Sequence, residues 1–198
     1  MATFQGFFQS MQPNTQRQKT GWVAAAAITV ALVAGFEGYA SKPYVDTVGT
    51  GHPETWCYGE TAADGGKVPA YGTLFTKAEC QVSLQEKLTK VYDPMVRQCI
   101  DAKALDGFPS REAALVSFVY NGGQGWLCAP TVRTISGAPS VYPASKPIRL
   151  TAVARNINAS NYAAGCNSMK AYDRAAGRVL SGLVTRRNKE AALCIQGK

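Results

Sequence analysis

Residues 21–36 read Gly-Trp-Val-Ala-Ala-Ala-Ala-Ile-Thr-Val-Ala-Leu-Val-Ala-Gly-Phe without a charge, and Glu37 ends the run. Such a stretch predicts a helix with almost no polar face. Ser-Lys-Pro-Tyr-Val at 41–45 then breaks the helix, because Pro43 disfavours helical backbone at and before it. Gly49, Gly51 and Pro53 mark turns, and Thr-Trp-Cys-Tyr at 55–58 has the composition of a short returning strand. After a loop over residues 62–72, Thr76-Lys-Ala-Glu79 is a capping box that opens a helix to about Tyr92. Asp93-Pro94 opens a further helix through Ile100. Another helix starts at Ser110-Arg-Glu-Ala; its residues 113–120 are apolar on nearly every side, which marks the central buried helix. Asn121-Gly122-Gly123 stops it, with Asn121 either capping the helix or lining a cleft. Residues 129–150 hold Pro130, Pro139, Pro143 and Pro147 and read as an irregular loop, whereas residues 151–164 are expected to form one helix.

Charge and cysteine content narrow the setting. The formal net charge is +8, which calls for an anionic partner, whether nucleic acid, anionic lipid or cell wall. Apart from Arg186, Arg187 and Lys189 the basic residues are scattered, with no nucleic-acid-binding motif, so no nucleic-acid partner is expected. Six cysteines (Cys57, Cys80, Cys99, Cys128, Cys166, Cys194) lie far apart with no Cys-x-x-Cys pair, and His52 is the single histidine, so no metal site is expected. An even, dispersed set favours disulfides and an oxidising compartment over free buried thiols. Fifteen pairings are possible for six cysteines; we expect Cys128 with Cys166 and Cys99 with Cys194.

The N-terminal flank bears on topology. Residues 1–20 carry Arg17 and Lys19 and no acid, which predicts an N-terminus in the cytoplasm and a translocated remainder. The helix between Lys19 and Glu37 spans roughly 25 Å, short of a ~30 Å hydrocarbon core, and is rich in Ala and Gly rather than Leu. A cleaved signal peptide, a weak membrane anchor and an ordinary buried helix all fit that stretch.

The candidate chemistry sits where the first helix meets the extended segment. Glu37 falls at the boundary between packed helix and solvent, where burial favours a protonated acid, and Asp46 follows after eight residues. A helix end facing a β-hairpin would bring both to one cleft, and two carboxylates in unlike environments are the minimum apparatus for splitting a glycosidic bond.

The wording around them resembles the catalytic segment of phage lysozymes of glycoside hydrolase family 24: Glu, eight residues, Asp, five residues, Thr, then a Tyr-Gly-His-Thr-like ending. Here Glu37 and Asp46 keep the first spacing, while eight residues separate Asp46 from Thr55, a three-residue insertion within residues 51–54. A literal count would land on His52, but Thr55 is followed by the matching Trp-Cys-Tyr-Gly; Glu60 stands where the family has His. Ala-Leu-Val-Ser-Phe-Val-Tyr-Asn at 114–121 matches a second family segment. Gly182-Leu183, Arg186, Arg187 and Glu190 hold a third, with Ala176 for the first of two paired glycines and Tyr172 for the usual Trp.

The resemblance covers residues 36–198 and implies an α+β lysozyme-like fold, mostly helical, with a small β-hairpin lobe beside the catalytic cleft. It implies a cofactor-free muramidase, an endolysin cutting the β-1,4 bond between N-acetylmuramic acid and N-acetylglucosamine in peptidoglycan, usually with inversion. Glu37 would protonate the leaving oxygen, Asp46 would activate or position water and Thr55 would hold it. Arg186 would face Glu37, with Asn121 and Tyr58 in support. The resemblance also favours a signal-anchor-release segment at 21–36, flanked by a cytoplasmic segment at 1–20 and a catalytic domain at 37–198. The implied route runs through the export machinery to the host inner membrane, then, after release, to the periplasm as a monomer. A lytic transglycosylase and a non-catalytic, membrane-tethered wall-binding protein are the alternatives.

Overall fold

The computed structural model describes residues 16–47, 53–62, 68–70, 72–130 and 148–197. The first helix, α1 (Gln16–Phe36), carries the whole uncharged run. It packs on the core through Ala25, Ala26, Thr29 and Val33, all buried, and Thr29 returns its hydroxyl to the Ala25 carbonyl at 2.7 Å. No helix among the described residues is long and apolar enough to cross a membrane. Here α1 is a buried helix of the folded protein, its small residues allowing close approach to the central helix.

A three-stranded antiparallel sheet follows, β1 (Ala40–Val45), β2 (Glu54–Cys57) and β3 (Glu60–Thr61), in the order β1-β2-β3. Tyr44 pairs with Thr55 and Val45 with Glu54, while the register shifts between Ala40 and Tyr44, around Pro43. Proline has no N–H to give a ladder, and a bulge on an edge strand accommodates it.

Helix α2 (Lys77–Lys87) opens with the expected capping box: Thr76 Oγ1 accepts from the Glu79 N–H, and the Glu79 carboxylate accepts from the Thr76 N–H at 2.7 Å. It passes through a π-helical turn at Leu88–Tyr92 into α3 (Asp93–Cys99). Pro94 explains the turn, since its ring would clash with the carbonyl four residues back in a regular helix. After the short α4 (Ala102–Leu105), α5 (Pro109–Gly122) runs through the core, with every residue from Ser110 to Val119 buried. That burial takes in two charges, Arg111 and Glu112. Glu112 and Asp93 share Arg97, which also donates to Asp106 at 3.1 Å. The helix stops at Gly123, with φ 79. A Cβ at Gly122 would stand 2.0 Å from the Trp126 ring, so only glycine lets that indole lie against the helix end.

Strands β4 (Cys128–Pro130) and β5 (Ile148–Leu150) pair antiparallel, so the stretch read as irregular is closed at its base by a ladder. Its remainder, with Pro139, Pro143 and Pro147, lies outside the described residues. The single helix expected over 151–164 is two: α6 (Ala152–Asn158) and α7 (Tyr162–Ser168). Ser160 takes a left-handed φ of 65 between them, and the Asn158 amide turns away to bond the Cys99 carbonyl and the Asp101 N–H. Competition of that kind from an Asn side chain ends a helix.

A hairpin of β6 (Arg174–Ala175) and β7 (Arg178–Val179) leads into α8 (Ser181–Gln196). Ala176 adopts φ 48 in its turn, the backbone glycine would take without strain. Tyr172 joins an aromatic cluster with Phe118 and Trp126, ring centroids 5.1 and 5.0 Å away.

All six cysteines are bridged, but not as expected: Cys57–Cys80, Cys99–Cys128 and Cys166–Cys194. Each bridge joins cysteines adjacent in the sequence because the elements that carry them pack as neighbours: β2 with α2, α3 with β4, and α7 with α8. Cys128–Cys166 and Cys99–Cys194 therefore do not form.

Candidate active site

Glu37 sits one residue past α1, its N–H still bonded to the Val33 carbonyl at 2.9 Å, so the helix fixes where its side chain starts. The side chain is 26% exposed, and Oε1 accepts from Arg186 Nη1 at 2.6 Å. On its other side is Gly59, at φ 85, where a Cβ would stand 3.5 Å from Glu37 Oε2. The turn after β2 thus rests against the carboxylate. The Tyr120 hydroxyl of α5 holds that turn by donating to the Tyr58 carbonyl at 2.7 Å.

Asp46 continues the β1–β2 ladder one step past the strand, its N–H donating to the Pro53 carbonyl at 3.0 Å. Alternation along a strand puts Asp46 on the same face as Tyr44, and Tyr44 stands opposite Thr55. Burial first, then the charges of Asp46 and Glu37, push the Tyr44 phenol above its usual range, so one hydroxyl feels both carboxylates. Thr55 is 3% exposed and donates to the Pro53 carbonyl at 3.2 Å. That bond uses the hydroxyl proton and leaves its lone pairs to accept from water.

Arg186 is held from behind. Its Nε lies 3.2 Å from Glu190 Oε1, and its guanidinium is 4.9 Å from the Phe36 ring. Glu190 is fully buried, takes the Ser117 hydroxyl at 2.6 Å and faces Arg187 Nε at 3.1 Å. Arg187 is in turn stacked between Phe118 and Trp126 and donates to Asn121 Oδ1 at 2.7 Å. Asn121 is thus inside α5, not its cap, and acts on the second arginine. Tyr58 is buried with its ring 6.0 Å from Tyr39, and it meets the site through its carbonyl. Glu60 points away: it is buried against α2, accepting from Ser83 at 2.8 Å with Lys87 Nζ 3.9 Å away. The replacement of the family's His is therefore taken up by packing outside the cleft. His52 lies outside the described residues, and among these no three His, Cys, Asp or Glu side chains could hold a metal ion.

Tyr44, Gly59, Ser117, Tyr120 and the role of Glu190 were not singled out from sequence. Ser117, Tyr120 and Asn121 stand at i, i+3 and i+4, a polar stripe on an otherwise apolar helix, and that spacing was a readable signal.

The phage lysozyme family model matches residues 34–141 and 145–190. The chain is 29% identical over 197 residues to the SAR-endolysin of Bacteriophage PS119, covering 96% of this chain and 99% of that one. It is 28% identical over 196 residues to the SAR-endolysin of Enterobacteria phage P21, covering 95% and 99%. Among solved structures, the active form of the P1 phage endolysin Lyz superposes with a TM-score of 0.63 at 20% identity, covering 86% of this chain and 84% of that one. The endolysin from Escherichia coli O157:H7 phage FAHEc1 does so with a TM-score of 0.60 at 20% identity, covering 95% and 98%. These structures share the helical fold with its small β-hairpin lobe, and the family model spans most of the length, both carboxylates included. The chain belongs to the phage lysozyme family.

Proposed function

We infer that this protein is a phage endolysin, a muramidase that hydrolyses the β-1,4 bond between N-acetylmuramic acid and N-acetylglucosamine in bacterial peptidoglycan. The observation that carries the reading is the Glu37 carboxylate at the helix end, bonded to Arg186 at 2.6 Å and facing the hairpin that bears Asp46 and Thr55. In this reading Glu37 gives its proton to the leaving glycosidic oxygen. Asp46 draws a proton from the attacking water and steadies positive charge on the ring. Thr55, whose own proton is committed to Pro53, accepts from that water and fixes its approach.

The SAR-endolysin relatives support the further reading that residues 21–36 serve as a signal-anchor-release segment. The N-terminus then faces the cytoplasm, the body is exported, and release lets α1 take its place on α5. The body over 37–198 carries the rest of the site. Glu37 cannot meet Arg186 or the hairpin while its own helix lies in lipid, so the tethered form is inactive. Three disulfides fit a protein that finishes folding in the periplasm.

The test is digestion of purified peptidoglycan with the oxidised full-length protein, followed by mass spectrometry of the released sugars. Fragments with reducing muramic acid ends are expected, and Glu37→Gln should lower their rate of release by about 100-fold or more. Anhydro-muramic ends would replace hydrolysis by transglycosylation. Wall binding with no release, unchanged in the Glu37→Gln protein, would leave a binding protein on a lysozyme scaffold.

A further inference from the structure

An acid that ion-pairs with an arginine is at risk of staying ionised, because the positive charge favours the carboxylate. The contact between Glu37 and Arg186, at 2.6 Å, poses that difficulty for a group that must deliver a proton. Behind Arg186 the structure holds a second carboxylate. Glu190 is wholly buried, and three donors converge on it: the Ser117 hydroxyl at 2.6 Å, Arg186 Nε at 3.2 Å and Arg187 Nε at 3.1 Å. Donors on every side require an acceptor there, so Glu190 serves as a carboxylate and one guanidinium spans two acids.

We propose that Glu190 is a positioning residue for the reaction: anchored by Ser117, it holds Arg186 from behind and takes up part of its charge, so that Glu37 is oriented by the arginine without being locked in its ionised form. The inference rests on the muramidase reading. The charged and titratable groups around the pair are few. They are Tyr44 and Asp46 on the hairpin, Arg187 beside Glu190, and Lys189, whose ammonium lies 5.5 Å from the Phe36 ring. The contact from α5 is made by uncharged Ser117, through its hydroxyl and its carbonyl, which is 3.5 Å from Arg186 Nη2. Arg187 has its own partners in Asn121 and two aromatic rings, so Glu190 is the anion that divides Arg186 with Glu37.

The experiment is the pH–rate profile of the oxidised full-length protein on purified peptidoglycan, with sugar ends read by mass spectrometry. In Glu190→Gln the charge of Arg186 falls undivided on Glu37. The basic limb of the profile should move down by about one pH unit, which is roughly a tenfold loss of rate above it, with the rate below it largely kept and KM little changed. A role confined to packing would lower the rate by one factor at all pH values and leave the limb in place. Circular dichroism checks that the variant is folded. Should Glu190→Gln fail to fold because Arg187 is left unpaired, Ser117→Ala reads the same coupling with both charges intact. Without the competing hydroxyl, Glu190 binds Arg186 more strongly, and the limb should move up. An unmoved limb in either folded variant, or a downward move in Ser117→Ala, overturns the inference while the muramidase reading stands. A wild type that releases no sugar overturns both.

Discussion

Among single residues, Glu112 ties the core to pH. It is buried on α5, and burial first, then the neighbouring Asp93 charge, pushes its carboxyl up to about 8 against the pull of Arg97. An unfolded glutamate titrates near ~4.3. The native state therefore binds this proton more tightly than the unfolded chain. The stability it brings is complete below about pH 4 and is lost as pH rises through about 8. Thermal melts across that window should show a falling midpoint, and Glu112→Gln should remove much of the fall; a variant with the wild-type slope would acquit the residue. At the same scale, Glu37, Asp46 and Thr55 were legible because they lie within nineteen positions of one another in a local motif. Ser117 and Glu190 meet across 73 positions, and no local pattern announces a partner that distant.

For whole elements, two contacts decide how the hairpin and the last helices are held. The Tyr120 hydroxyl ties α5 to the turn after β2, so Tyr120→Phe should cost about 1 kcal/mol of stability. It should also reduce kcat more than it raises KM, because the turn that rests on Glu37 is loosened; a change in KM alone would show the turn to be merely a binding surface. The Cys166–Cys194 bridge spans 28 positions between α7 and α8. In the chain-entropy account its removal, Cys166→Ser with Cys194→Ser, should lower unfolding free energy by about 3.5 kcal/mol, measured by urea denaturation. Helices α2, α3, α5 and α8 were readable from caps, prolines and apolar runs. The break between α6 and α7 was not, because it depends on Asn158 reaching the Cys99 carbonyl, a partner supplied by the tertiary fold. Disulfide pairing failed for the same reason: spacing says how many bridges are possible, and only the packing of β2 on α2, α3 on β4 and α7 on α8 chooses among them.

In the molecule as a whole, α1 is both part of the core and the support of the acid. Deleting residues 1–35 removes Ala25, Ala26, Thr29 and Val33 from that core together with the segment proposed to direct export. The truncated protein is expected in the cytoplasm, without disulfides and without lytic activity, by fractionation, thiol labelling and culture turbidity. Full lysis from it would dismiss the export-and-release account. The three disulfide rings begin at Cys57 and end at Cys194, and none encloses α1. Its hold on the body is a single peptide junction and a packed face, with no covalent clasp. The seat of α1 is thus governed by mass action like any ligand site, and because Glu37 rides on the helix, turnover follows the fraction of molecules whose seat is filled. Such an enzyme has a throttle, a binding isotherm written into its own chain.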